Sequence, residues 1–236
     1  MKEVYDHYEL HFLKLNPPTK ASFESASRAY SFLYGKFLPA DKNARILDVG
    51  CGIGHFLYFL KNNGYTNFFG IDFSKAQIDF IKENITKKAA VADAFVFLRE
   101  AKSPFDLIVI NDVLEYVPKE KLFEFLGLVL NCLNSGSTVF IKVPNMSNPF
   151  GLRSRYISIT HELGLTEHSL LEVLEIAGFS DIKIIGAFPP VISFKSFIAK
   201  MACSCIYKML KLMFLIQGYP PPKILTKDVV AIAKRK

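Results

Sequence analysis

Short apolar runs alternate with amphipathic segments of helical period along most of the chain. The run FDLIVIND at 105–112 is apolar enough to be a strand buried on both faces. Because strands and helices alternate through the middle, the sequence predicts an α/β fold with a doubly wound, mostly parallel seven-stranded sheet. The predicted strands are 44–50, 67–73, 89–95, 105–112, 137–145, 180–188 and 227–235.

The intervening segments carry helix start and stop signals. Ser74 with Gln77 three residues later is a capping-box pattern, Pro118 suits a first helical position, and Thr166 is a predicted N-cap. Gly64 is a predicted helix C-cap. The predicted helices are 22–38, 55–64, 74–85, 118–136, 166–178 and 194–216.

A long insert at 190–222 separates the last two predicted strands, which a short turn usually joins. At about 100° per residue, Lys200, Lys208 and Lys211 share one sector of its helix, and apolar residues occupy much of the rest. Two interpretations stay open. The helix packs on the sheet or on another subunit of an oligomer, or it rests as a peripheral contact on an anionic membrane.

Composition places the chain in a broad class. Its 236 residues are half hydrophobic, so we expect a single domain, 1–236, with a helical N-terminal cap at 1–40. The formal charge of +7 suits an anionic partner, although a basic soluble surface explains it equally well. The four cysteines have no metal or disulfide spacing, and no apolar leader opens the chain, so we expect a cytoplasmic protein.

The stretch ILDVGCGIG places three glycines directly after the first predicted strand. In a doubly wound sheet a ligand binds at this edge, where glycine lets the backbone approach it. A nicotinamide dinucleotide requires G-x-G-x-x-G, but the third glycine comes one position early and His55 occupies its place. Asp48 would also lie near the phosphates, so the pattern favours a positively charged ligand without phosphate.

This stretch closely resembles the first motif of the class I S-adenosylmethionine (SAM)-dependent methyltransferases, which implies the Rossmann-like methyltransferase fold. The resemblance implies that Asp48 serves the amino acid end of SAM, that Asp72 binds the ribose hydroxyls, and that Asp93 and Ala94 lie at the adenine. S-adenosylhomocysteine (SAH) is the product. The full predicted cofactor set is Asp48, Gly50, Cys51, Gly52, Gly54, Asp72, Phe73, Asp93, Ala94 and Asn111.

The segment after the fifth predicted strand, 146–170, is expected to face the acceptor. It is similar to a subgroup found in bacterial surface polysaccharide and lipopolysaccharide clusters. That resemblance implies O-methylation of a sugar hydroxyl on a nucleotide- or lipid-linked glycan. The basic charge is compatible with a phosphate on the acceptor, with Arg153 and Arg155 as its partners.

A sugar hydroxyl is a poor nucleophile, so a general base would accelerate the transfer. His161, in the irregular acceptor-side segment, is the predicted base, with Glu115 and Tyr116 as alternatives. Tyr116 stands where the methyltransferase pattern commonly has histidine. We see no carboxylate cluster with metal spacing and predict no metal.

Other functions stay open at this point. Aromatic-rich termini also suit a methyltransferase for a phenolic or quinone-like small molecule, and intact cofactor motifs alone also suit a non-catalytic SAM-binding subunit. Nucleic acid is a disfavoured partner. The segments NPPT at 16–19 and NPF at 148–150 do not follow the fourth predicted strand, where base methyltransferases carry such a motif.

Overall fold

The computed structural model describes residues 18–236, in which a seven-stranded sheet has the order β3-β2-β1-β4-β5-β7-β6. β7 runs antiparallel to both of its neighbours, and the other pairs are parallel. The predicted fold is therefore confirmed. The strands are β1 (Ile46–Val49), β2 (Phe68–Asp72), β3 (Ala89–Val91), β4 (Phe105–Asn111), β5 (Leu133–Pro144), β6 (Ser180–Ala187) and β7 (Asp228–Lys234).

Helices cover both faces of the sheet. Side chains of α1, α2 and α3 form one apolar core with the strands, and those of α4, α5 and α7 form the other. The central strands are consequently buried on both sides, which explains their continuous apolar sequence. The helices are α1 (Lys20–Tyr34), α2 (His55–Asn62), α3 (Lys75–Asn84), α4 (Ala94–Glu100), α5 (Leu122–Asn131), α6 (Gly151–Arg155), α7 (Glu167–Ile176) and α8 (Phe194–Ile216).

Local caps explain several helix boundaries. The hydroxyl of Thr166 accepts from the Ser169 amide, and the Ser169 hydroxyl accepts from the Thr166 amide, which makes a complete capping box. Ser74 likewise accepts from the Gln77 amide at the start of α3. After α2, Gly64 adopts the left-handed conformation expected of a residue that terminates a helix.

Several predicted boundaries were wrong. The third strand ends at Val91, because Asp93 caps α4, a helix that the apolar pattern did not reveal. The helix expected at 118–136 ends at Asn131, and β5 begins at Leu133, well before the predicted position 137. The predicted N-terminal cap is described only from residue 18, and its first part lies outside the described residues.

The insert leaves the sheet at the edge where β1 and β4 end. β6 ends at Ala187 and β7 begins at Asp228, and these two residues are paired, while Asp228 also pairs with Pro144 at the end of β5. Within the insert, α8 buries no side chain. Tyr207, Leu210 and Phe214 are nevertheless half-buried, so the two interpretations of this helix both stay open.

Candidate functional site

A cavity of about 680 Å³ opens at the carboxyl edge of β1, β2 and β4. This is the edge at which doubly wound sheets bind ligands. Its walls include predicted cofactor residues from four separate stretches of sequence: Asp48, Gly50, Cys51, Gly52, Asp72, Phe73, Asp93, Ala94 and Asn111. The fold thus brings together nearly all the residues that the motifs singled out.

The glycine turn follows β1 and is held against β2. The amides of Gly50 and Cys51 both donate to the Ile71 carbonyl, at 2.8 and 2.9 Å. Gly50 has a φ of +68°, and a Cβ there would lie 2.2 Å from Val113 Cγ2. Only glycine fits this position without moving the cavity wall.

Gly54 has a different environment from the rest of the turn. It is not among the residues that line the cavity. Its φ is +86°, and a Cβ there would lie within 3 Å of both Ile81 and Ile85. Gly54 therefore lets α2 start close against α3, which is a packing role.

Asp48 of β1 and Asp72 of β2 both line the cavity. Asp72 accepts from the amides of Gly52 and Ser74, each at 2.9 Å, so that its position is fixed by the two loops beside it. Burial raises the pKa of Asp48 well above its usual value, and Asp72 raises it further. A positively charged ligand would relieve this repulsion, whereas an anion would add to it.

The same environment keeps Cys51 from acting as a nucleophile. Burial raises the pKa of its thiol, and the charges of Asp48 and Asp72 raise it further. The thiol is therefore neutral at physiological pH, while the thiolate is the reactive form. Cys51 contributes shape to the cavity.

Asn111, the last residue of β4, presents a buried donor without a partner among residues 18–236. Its Oδ1 accepts from the Tyr34 hydroxyl at 2.5 Å, which orients the amide, while its Nδ2 makes no hydrogen bond. A buried amide donor left unpaired costs about 1–3 kcal/mol. A ligand with an acceptor atom in the cavity would remove that cost.

Lys142 and Asp112, the residue after Asn111, form an ion pair at the edge of the cavity. Lys142 Nζ lies 2.5 Å from Asp112 Oδ2, and Asp112 adopts a φ of +56°, which is unusual for a residue with a side chain. Burial alone would lower the pKa of Lys142, but Asp112 and the nearby Tyr30 and Tyr34 raise it above the usual value. Lys142 therefore stays charged next to the site.

Asp93 lines the cavity and also caps α4. Its side chain accepts from the Val96 amide at 3.0 Å. Ala94 begins the helix, and the first turn of α4 continues the cavity wall with Phe95.

The predicted catalytic residues occupy three different positions. Tyr116 lines the cavity, but His161 and Glu115 are not among its lining residues. The ring of His161 lies against the ring of Tyr116, with centroids 4.7 Å apart, and its Nδ1 donates to the Ser154 carbonyl at 2.9 Å. Burial lowers the pKa of His161, so the ring is neutral at physiological pH.

His55 is a cavity residue whose importance the sequence did not reveal. It begins α2 and lines the cavity together with Tyr30 of α1. Its Nε2 lies 3.5 Å from the Ser22 hydroxyl, which itself donates to the Thr19 carbonyl at 2.7 Å. Burial lowers the pKa of His55, and the charge of Lys142 lowers it further. The dinucleotide motif G-x-G-x-x-G has glycine where this chain has His55, and that difference was the signal that could have identified His55 as a site residue.

Glu115 provides a test of the electrostatics beside the site. It is buried, Oε2 has no partner among the described residues, and burial followed by the charge of Asp112 raises its pKa well above the usual value. The folded state therefore holds a proton that the unfolded chain releases near pH 4.3, and stability falls as pH rises above that value.

We expect Glu115→Gln to stabilise the protein at pH 7 by about 1 kcal/mol, because the amide folds without the proton uptake that Glu115 requires at this pH. At pH 3 the two proteins should have equal stability. Urea unfolding at both pH values measures this. A variant less stable than wild type at pH 7 would show that Glu115 is ionised in the fold.

Comparisons with known proteins agree with the motifs. Residues 22–184 match the sequence family described as methyltransferase domain. A structurally similar protein is a SAM-dependent methyltransferase from Archaeoglobus fulgidus. It has a TM-score of 0.70 and 24% identity, and the match covers 96% of this chain and 99% of that chain. Another is the plantazolicin methyltransferase BamL, in complex with a triazolic desmethylPZN analog and SAH. Its TM-score is 0.60 and its identity 18%, over 100% of this chain and 91% of that chain.

Among curated proteins, the uncharacterized protein RP028 of Rickettsia prowazekii is 32% identical over 124 residues. That match covers 48% of this chain and 48% of RP028, so the similarity spans about half of the relative's length.

Proposed function

Because the chain belongs to the methyltransferase-domain family and is a SAM-dependent methyltransferase, we propose that it O-methylates a sugar hydroxyl of a nucleotide- or lipid-linked glycan. The observation that carries this proposal is the attachment of the acceptor-side segment, 146–170, to Glu115, which precedes the cavity residue Tyr116 in the chain. The Glu115 carbonyl accepts from the amides of Glu162 and Leu163, at 2.7 and 3.0 Å. This segment carries the resemblance to the polysaccharide subgroup.

The cavity residues fit SAM. We assign Asp72 to the ribose hydroxyls, because its carboxylate is fixed at the end of β2. Asp48 faces the positively charged amino acid end, where a cation relieves its repulsion with Asp72. Asn111 Nδ2 is a free donor for an acceptor atom of the cofactor. The adenine is assigned to the wall that contains Phe73, Asp93 and Ala94, and the glycine turn of Gly50, Cys51 and Gly52 passes beneath the amino acid portion.

Bound SAM supplies a methyl group that is already activated by the sulfonium, so the protein's main tasks are positioning and proton removal. Positioning alone contributes as much as about 7–11 kcal/mol. For the proton we propose His55 as the general base. It lines the cavity, and its lowered pKa keeps the imidazole neutral and able to accept a proton at pH 7.

A phosphate on the acceptor needs a cation outside the carboxylate-lined part of the cavity. Arg155 is already engaged, because its guanidinium donates to the carbonyls of His161 and Glu162. Arg153 is exposed on α6 and is the arginine that we assign to a phosphate.

One observation favours a second candidate, a phenolic or quinone-like acceptor. Aromatic rings of Tyr30, Phe56 and Tyr116 line the cavity, and the rings of Tyr30 and Phe56 meet edge to face at 5.2 Å. Such walls suit a planar ring, although they also suit the apolar face of a sugar.

Mass spectrometry after incubation with SAM distinguishes the two. Nucleotide sugars, glycan fragments, phenols and quinols are offered separately, and both SAH and the methylated product are measured. We expect a methyl group on a sugar hydroxyl. Methylation of phenols or quinols with no sugar product would overturn the glycan proposal and establish the second candidate.

A further inference from the structure

The net positive charge of this chain arises from a single segment. Segment 182–227 contains no Asp, Glu or Arg, and its lysines account for the whole formal charge of +7. The rest of the chain has equal numbers of basic and acidic side chains. The lysines are Lys183, Lys195, Lys200, Lys208, Lys211, Lys223 and Lys227.

Helix α8 occupies the middle of this segment and turns an apolar stripe to solvent. The half-buried residues of its second half, Tyr207, Leu210, Lys211 and Phe214, recur at helical spacing and mark the face turned towards the protein. Every large residue of the opposite stripe is at least 51% exposed. The members of the stripe are Phe194, Ile198, Met201, Met209, Leu212 and Ile216.

Lysines border this stripe. On a helix of 100° per residue, Lys195 lies on one side of it and Lys208 on the other. Long lysine side chains in this position can keep their ammonium groups at a polar interface while the stripe enters an apolar layer. In the part of the chain that the structure describes, no helix is long and apolar enough to cross a bilayer. The geometry of α8 is that of a helix lying in the plane of an interface.

The insert that carries the stripe is attached to the sheet at the same edge as the cavity. The insert leaves β6 and enters β7 beside Pro144, where β5 ends. The acceptor-side segment follows β5 at that edge and is also rich in exposed apolar side chains, each at least 64% exposed: Phe150, Leu152, Tyr156, Ile157 and Ile159.

We propose that α8 binds the surface of an anionic bilayer through this stripe and its bordering lysines. Anionic headgroups complement a segment that has seven lysines and no acidic residue. A second copy of α8 would instead bring two sets of lysines together without any acidic partner in the segment. The further consequence, that the acceptor is presented from the bilayer, rests on the proposed glycan function, whereas lipid binding by α8 does not.

Vesicle flotation of the full chain tests the proposal without cofactor or acceptor. We expect the wild type to float with vesicles of phosphatidylcholine and phosphatidylglycerol at low salt and to be released from them by high salt. It should not bind vesicles of phosphatidylcholine alone. Lys195→Glu with Lys208→Glu should reduce flotation at least about tenfold. The matched control, Lys87→Glu with Lys102→Glu, makes the same charge change on exposed lysines that precede β3 and β4 and should float like wild type.

A second pair of variants separates lipid from protein contact. Ile198→Ser with Leu212→Ser removes exposed apolar groups and should abolish flotation while leaving the fold intact. Wild type that stays unfloated with anionic vesicles at low salt overturns the proposal, as does a control pair that loses flotation equally. If light scattering then shows a dimer that this serine variant dissociates, a second copy covers the stripe. The flotation experiment contains no acceptor, so its failure would not contradict the proposed glycan methylation. Failure to methylate a glycan would likewise not contradict lipid binding by α8.

Discussion

Gly50→Ala is expected to weaken binding of SAM and SAH by about tenfold to a hundredfold. The new Cβ would lie 2.2 Å from Val113 Cγ2, and Val113 itself lines the cavity. Relieving such an overlap costs about 1–3 kcal/mol, and the positive φ of Gly50 adds strain for any residue with a side chain. The wall would have to move into the space assigned to the cofactor. Calorimetric titration with SAH measures the loss.

Gly64→Ala is the matched control for this substitution. Gly64 also has a positive φ, of +79°, but no atom lies within 4 Å of the Cβ that would be added there. Alanine at position 64 would therefore have similar backbone strain but no steric overlap. We expect Gly64→Ala to lose some stability and to bind SAH like wild type. Equal loss of SAH affinity in both variants would mean that Gly50 acts through the fold and not through the cavity.

His55→Gln is expected to lower turnover by about 10²–10⁴-fold with a saturating acceptor, because the glutamine amide cannot accept the proton. SAH affinity should change little. The wild-type rate should rise with pH through a pKa below the usual histidine value of about 6.5, since burial and Lys142 favour the neutral ring. The variant should lose that limb of the pH profile.

His161→Gln is measured beside it, because the sequence pattern predicts His161 as the base. In the structure the His161 ring lies against Tyr116 and is not among the cavity-lining residues, so we expect a turnover within about threefold of wild type. If His161→Gln instead removes the pH-dependent limb and His55→Gln keeps it, the base is His161 and our assignment of His55 is wrong.

The sheet and the cofactor edge could be predicted because their signals are local. A strand such as β4, buried on both faces, is apolar almost throughout, and Gly50 and Gly52 both adopt a positive φ, which favours glycine. In a parallel sheet, the ends of β1, β2 and β4 then meet at one edge. The chain order of Asp48, Asp72 and Asn111 was therefore enough to place them around one cavity.

Features that depend on long-range packing could not be predicted in this way. His55 becomes a cavity residue beside Tyr30 because α1 folds over the start of α2, which local sequence does not specify. His161 lies in an irregular segment whose path is set by hydrogen bonds to the distant Glu115 carbonyl. Helical period correctly predicted α8, but period alone does not reveal whether an apolar stripe faces the core or solvent.

The central claim is that the cavity at the glycine turn binds SAM, and calorimetric titration of the wild-type chain with SAH tests it most directly. NADH serves as the comparison ligand, since a dinucleotide is the other cofactor that glycine-rich turns at this edge bind. The structure predicts saturable binding of one SAH per chain, because Asp48 and Asp72 favour a cationic amino acid end, and no binding of NADH, whose phosphates they repel. Saturable binding of NADH without binding of SAH would contradict the claim.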